Sequence, residues 1–225
     1  VIESDARQLA AAIRSDFPVE VLPSDAIWQS TPALRVIDCV LSLRKKYDTV
    51  VLPRVRTFGE RFPEIESCAD LRAMIDRYPD PLSFLNETLT MNSPGKADAL
   101  VGVLDYMIDI QQRFPGETEP TRLGEWARWA RPGDFLTVGV RGFALAGFQY
   151  LRMLFGAETV KPDVHILAYA ERVLRRRIAG NASAEVGAVY VYERAGELLG
   201  RSARQIDIAI WERESGRASP TRNPG

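Results

Sequence analysis

Apolar residues along this chain recur at helical spacing far more often than in alternation. In "PALRVIDCVLSL", residues 32–43, Leu34, Ile37 and Leu41 fall at i, i+3 and i+7, and Pro32 occupies a first turn that tolerates proline. The same reading predicts helices over 48–61 and 68–78, and a short one over 81–90 after the Pro79-Asp80-Pro81 break. The clearest long helix is 93–114, with Leu100, Leu104, Met107 and Ile108 on one side. After the turn-rich "PGETEP", residues 121–130 present Leu123, Trp126 and Trp129, and "FALAGFQYLRMLFG" follows the glycine-bearing turn "GVRG". Ile166, Ala170, Val173 and Leu174 align over 163–178, and the Gly180-Asn181 turn separates that helix from two more, 183–199 and 203–214. Within 183–199, "VGAVYVY" is rich enough in β-branched and aromatic residues to read alternatively as a strand. Residues 217–225 read as a flexible tail. About ten short helices without hairpin signals predict an all-α fold.

With 225 residues and 46% apolar composition, the chain is long enough for one large domain or two small lobes with a real core. A net charge of −1 and a pI near 6.0 give no global basic field, which counts mildly against nucleic acid while leaving a local basic face open. The two cysteines, Cys39 and Cys68, are too few for a disulfide framework or a four-cysteine metal site, and read as buried thiols of a reducing cytoplasm. No apolar run of about 18 residues is present to span a membrane. The segment 1–14 is too polar for a signal peptide. The chain opens without methionine, which leaves room for a piece upstream.

The region from Trp126 onward carries the candidate chemistry. A helix leads into a turn with Gly139 and Gly142, a second helix ends in "LFG", and Asp163 then heads a third helix that holds the only histidine, His165. A tight glycine turn between helices exposes backbone N–H groups that can take a phosphate oxygen without side-chain charge. Such contacts position DNA rather than read it. The default reading of Asp163 is a helix N-cap, a role that does not exclude chemistry.

The run "VGVRGFALAGFQYLRMLFGAETVKPDVHI" resembles the helix–hairpin–helix, Gly/Pro-rich, aspartate motif of the endonuclease III-like DNA glycosylase superfamily. In that family an apolar helix ends in a Phe-Gly-like step, and eight residues beyond the Phe comes an Asp in an Asp-x-His-Ile/Val context. Here Phe155, Gly156, Asp163, Val164, His165 and Ile166 keep that spacing. Three further segments are similar. "CVLSLRKKYD" resembles the early helix with a DNA-wedging residue after its Leu-Ser step, here Arg44. "MNSPGKADAL" resembles the entry to a later barrel helix, with Lys96 matching. "RQIDIAIWERES" resembles the final helix. The likeness covers roughly 32–216 and is strongest over 139–166.

The resemblance implies a two-lobed helical fold, with a central barrel at 31–162 and a second lobe from 1–30 plus 163–225, Asp163 facing the cleft. It implies a monofunctional DNA glycosylase that hydrolyses the N-glycosidic bond of a damaged or modified base in duplex DNA. The ionised Asp163 would stabilise an oxocarbenium-like sugar and align water. Gly139, Val140, Arg141, Gly142, Phe143, Ala144, Arg44 and Lys96 become the DNA-binding candidates. His165 becomes a pocket candidate, more simply read as structural.

Departures from the family narrow the chemistry. The Schiff-base lysine of bifunctional members would fall at Leu145 or Ala146, and no lysine lies between Val138 and Val160, so no strand-cleaving imine is expected. The usual second glycine is Phe143 or Ala144. Two scattered cysteines exclude an iron–sulfur cluster. No cofactor is required; a monovalent cation at the hairpin is an option the resemblance leaves open.

Asp38 is a second catalytic candidate. Its neighbours Leu34 and Leu41 would desolvate it and suit it to protonate a leaving base, and the adenine-removing branch has a catalytic glutamate at what looks like this position. The plainer alternative is a solvated helix-edge Asp paired with Arg35 or Lys45. Trp28, Trp126, Trp129 and Tyr150 read most economically as core, with one of them free to line a base pocket. Double-stranded DNA is the expected partner, a monomer the expected state, and a prokaryotic cytoplasm the expected location. Two rival functions keep their place: a non-catalytic DNA-binding or damage-sensing module on the same fold, and a helical protein-interaction domain without DNA binding.

Overall fold

Helix starts in this protein are written by short polar caps followed by proline. Thr31, Asp80 and Thr118 each accept a first-turn N–H through a side-chain oxygen, and Pro32, Pro81 and Pro120 follow them inside the first turn. Ser67 and Asp70 form a reciprocal capping box. The computed structural model describes residues 1–18 and 30–216. Among them every regular element is a helix, so the fold is all-α and the strand reading of 186–192 gives way to a helix. Trp28 and the expected tail, 217–225, lie outside the described residues.

The chain divides into two compact units, Ile27–Ala157 and Val1–Ala26 with Glu158–Gly225. The divisions fall a few residues before those expected at 30/31 and 162/163.

The first unit, 27–157, contains α2 (Pro32–Ser42), a π-helical turn (Tyr47–Val51), α3 (Leu52–Arg61), α4 (Cys68–Ile75), α5 (Pro81–Leu89), α6 (Pro94–Ile110), α7 (Glu119–Trp129) and α8 (Leu145–Leu154). Its centre is α2, buried at nine of its eleven positions and packed against α3, α4, α6 and α8. Trp126 anchors the far side, with its ring edge-on to Tyr106, Phe148 and Phe155. Cys39 and Cys68 are both free thiols in this core.

The other unit joins the two ends of the chain. Its first helix, α1 (Ile2–Asp16), packs on α9 (Val164–Leu174) and α10 (Ala182–Leu199), and α11 (Ala203–Glu214) packs on α9 and α10. The sequence-based expectation places no helix over 1–16. Ala6, Leu9, Ala10 and Ile13 nonetheless fall at i, i+3, i+4 and i+7 and are all buried. Gln8 reaches across to the Val173 carbonyl at 2.7 Å, and Arg194 pairs with Glu3 at 2.8 Å.

Candidate functional site

In the 27–157 unit, the segment after α2 and the turn before α8 meet at one glycine. A Cβ on Gly147 would lie 3.0 Å from both Leu43 and Phe143 side chains, so the α2 exit and the hairpin press against the same wall of α8. Just beyond Leu43, Arg44 takes a left-handed backbone at φ +55°, a conformation that costs a non-glycine residue about 1 kcal/mol or more. Arg44, Lys45 and Lys46 are all exposed there. Across the glycine, Gly139 and Gly142 adopt φ +67° and +81°, values that exclude most side chains, and Arg141 between them is exposed. Val140 seats the turn on α6, where a Cβ on Gly102 would come within 2.7 Å of it.

The hairpin differs from the expected helix–turn–helix in two respects. α7 stops at Trp129, and the arm entering the turn is a 3₁₀ helix, Pro132–Thr137. Phe143 is buried in the core instead of standing in for a second glycine, and exposed Ala144 is the N-cap of α8. No side chain caps α8, whose first-turn N–H groups also have no partner within the helix. Two basic segments thus flank an uncapped helix start. Residues 139–144 carry no side-chain oxygen, and the Val140 carbonyl accepts the Phe143 N–H at 3.1 Å.

Two candidates are used elsewhere. Lys96 is only 8% exposed, and its ammonium donates to the carbonyls of Val40, Leu41 and Leu43 at 2.8–2.9 Å. Three N–H groups meet three carbonyls at the end of α2, where a cation also complements the helix dipole. That removes Lys96 from the phosphate contacts. Asp38 is fully buried, and its carboxylate accepts the Tyr47 hydroxyl at 2.7 Å and the Tyr150 hydroxyl at 2.9 Å. Burial and the Asp38 charge push both phenols above their ordinary value. A carboxylate with no exposed surface cannot meet a leaving base, and it is not the solvated helix-edge residue of the plainer reading either. Its role here is to tie α2, the π-helical turn and α8 together.

The aromatic candidates divide as well. Trp126 is core and donates to the Tyr106 hydroxyl at 3.2 Å, whereas Trp129, the last residue of α7, is 73% exposed and not core. Tyr150 is committed to Asp38.

In the other unit, Asp163 is the N-cap of α9. Its Oδ1 accepts the N–H of His165 at 2.9 Å and of Ile166 at 3.2 Å. Both bonds fall on one oxygen, so Oδ2 has no hydrogen-bond partner among the described residues. Asp163 is partly exposed and its neighbour Val164 is 75% exposed. His165 is partly buried and contributes its backbone N–H to the cap. No group of three His, Cys, Asp or Glu side chains among the described residues could hold a metal ion.

Asp207, on α11, is not among the site residues expected from the sequence. It is 8% exposed, and its Oδ1 accepts the Lys161 N–H at 2.7 Å. Burial, reinforced by the negative charge of Asp163, pushes its carboxyl up to about 8. The only trace in the sequence is an acid set between Ile206 and Ile208 in an apolar stretch of helix.

Residues 136–215 match a family model described as a domain of unknown function, DUF8548. The match runs from the 3₁₀ arm of the hairpin through α11, so it takes in the hairpin, Asp163 and Asp207 and leaves out Asp38, Arg44 and Lys96. No curated protein and no solved structure matches the chain. No helix among the described residues is long and apolar enough to cross a membrane.

Proposed function

We propose that this protein is a monofunctional DNA glycosylase that hydrolyses the N-glycosidic bond of a damaged or modified base in duplex DNA. The observation that carries the reading is the state of Asp163: partly exposed, it spends one oxygen on the α9 cap while the other has no hydrogen-bond partner among the described residues. The cap N–H groups fix the carboxylate in place, and its other oxygen is where a cationic sugar or an attacking water would sit. The Arg44–Lys46 turn, Arg141 and the uncapped start of α8 supply phosphate donors on the 27–157 unit. The absence of lysine between Val138 and Val160 supports hydrolysis without strand cleavage.

Asparagine caps helices about as well as aspartate, so Asp163→Asn separates chemistry from folding. On a panel of lesion-bearing duplexes, wild type releases a base and leaves an alkali-labile site with no spontaneous break. Asp163→Asn keeps its melting temperature and loses release by at least about a hundred-fold, the scale of removing one transition-state electrostatic group. Equal release by the two proteins sinks the assignment. Capping by Asp163 is also what a non-catalytic DNA-binding module needs, and that second reading predicts salt-sensitive duplex binding with no base released from any duplex.

A further inference from the structure

The peptide that carries Asp163 is braced from both sides. On one side, Oδ1 of Asp207 accepts the Lys161 N–H at 2.7 Å. The Lys161 carbonyl in turn accepts the Asp163 N–H at 2.7 Å, closing a three-residue turn over Pro162. On the other side, the Tyr192 hydroxyl donates to the Ile166 carbonyl at 2.7 Å and fixes the first turn of α9. The Asp163 carboxylate hangs between these two anchors. Every link is a short polar contact within one unit, and only the first depends on a side chain that could titrate near neutrality.

We propose that Asp207 is a positioning residue for Asp163: from α11 it holds the Lys161–Asp163 turn, and through it the direction in which the unpartnered Asp163 oxygen points. The inference rests on the proposed role of Asp163. The charged and titratable groups facing Asp207 are Lys161 and Asp163 from the segment entering α9 and Tyr192 from α10. Held neutral by its burial, Asp207 accepts the Lys161 N–H without setting a second negative charge against Asp163. Its ionisation above about pH 8 would set two like charges against each other across the turn.

The test uses the full chain. Amide resonances of His165 and Ile166, the two donors to Asp163, are followed by NMR in wild type, Asp207→Ala and Asp207→Asn, beside base release from the lesion panel. Asp207→Ala is expected to shift both amides and lower their exchange protection about tenfold, with release down on the order of a hundred-fold as expected for a misplaced reacting group. Asp207→Asn, which still accepts the Lys161 N–H, keeps wild-type amides and release at pH 7. In wild type the His165 amide titrates with a midpoint near 8, and in Asp207→Asn that step is gone. Unchanged amides in folded Asp207→Ala overturn the proposal, as does the same titration in Asp207→Asn. Should Asp207→Ala not fold, the titration decides alone. A wild type that releases no base defeats the glycosylase reading, while the amides still judge the brace.

Discussion

Charge alone says little about what an ionisable side chain does; its partners decide. Lys96 shows this most plainly, since an ammonium that looks available along the chain is spent on three carbonyls at the end of α2. Lys96→Met keeps the bulk and strands those acceptors, so urea melts should show a loss of about 2–4 kcal/mol. Asp207 makes the complementary case. Its carboxyl, pushed up to about 8 in the fold, lies above the ordinary aspartate value of about 3.9, so the folded protein binds the extra proton between the two. Stability relative to Asp207→Asn should therefore fall as pH rises from about 4 to about 8, by at most about 1.4 kcal/mol per unit, and level off above that. Melts of both proteins across pH 4–9 check the sign. Neither Lys96 nor Asp207 was legible in advance, because each role is set by backbone groups from a distant part of the chain. Asp163 was, because cap chemistry is local.

Elements were easier to read than residues where their boundaries are written in caps and prolines. α2, α4, α5 and α7 announce themselves through Thr31, Ser67, Asp80 and Thr118. α1 does not, since its buried face relies on two alanines and no side chain caps it. The hairpin was half legible: its glycines forced the turn, but nothing local says that Phe143 dives into the core or that a 3₁₀ helix makes the entering arm. Its seat on α6 can be tested at Gly102. An alanine there would crowd the Val140 Cγ atoms, and valine is stiff at χ1, so the turn itself must move. Gly102→Ala should cost about 1–3 kcal/mol and, on the proposed function, weaken duplex binding several-fold, as read by anisotropy at fixed salt. An unchanged affinity would detach the hairpin from DNA contact.

For the molecule as a whole, periodicity set the class and topology set what periodicity could not. The all-α class follows from period alone, whereas the partnership of α1 with α9–α11 joins residues that lie at opposite ends of the chain. Removing residues 1–18 should strip the apolar face of α10 and abolish amide protection in α9–α11, measured by hydrogen exchange. Protection in α2–α8 should persist, since that unit has a core of its own.

The same partnership imposes an order on biosynthesis. α1 leaves the ribosome before its partners, since α9 and α10, on which it packs, are not made until residues 164–199 follow. Throughout that interval a sticky amphipathic segment trails a neighbour able to finish folding ahead of it, so its hazards are those of a nascent chain waiting for a partner. Slow translation or scarce holdase would then harm the terminal unit first.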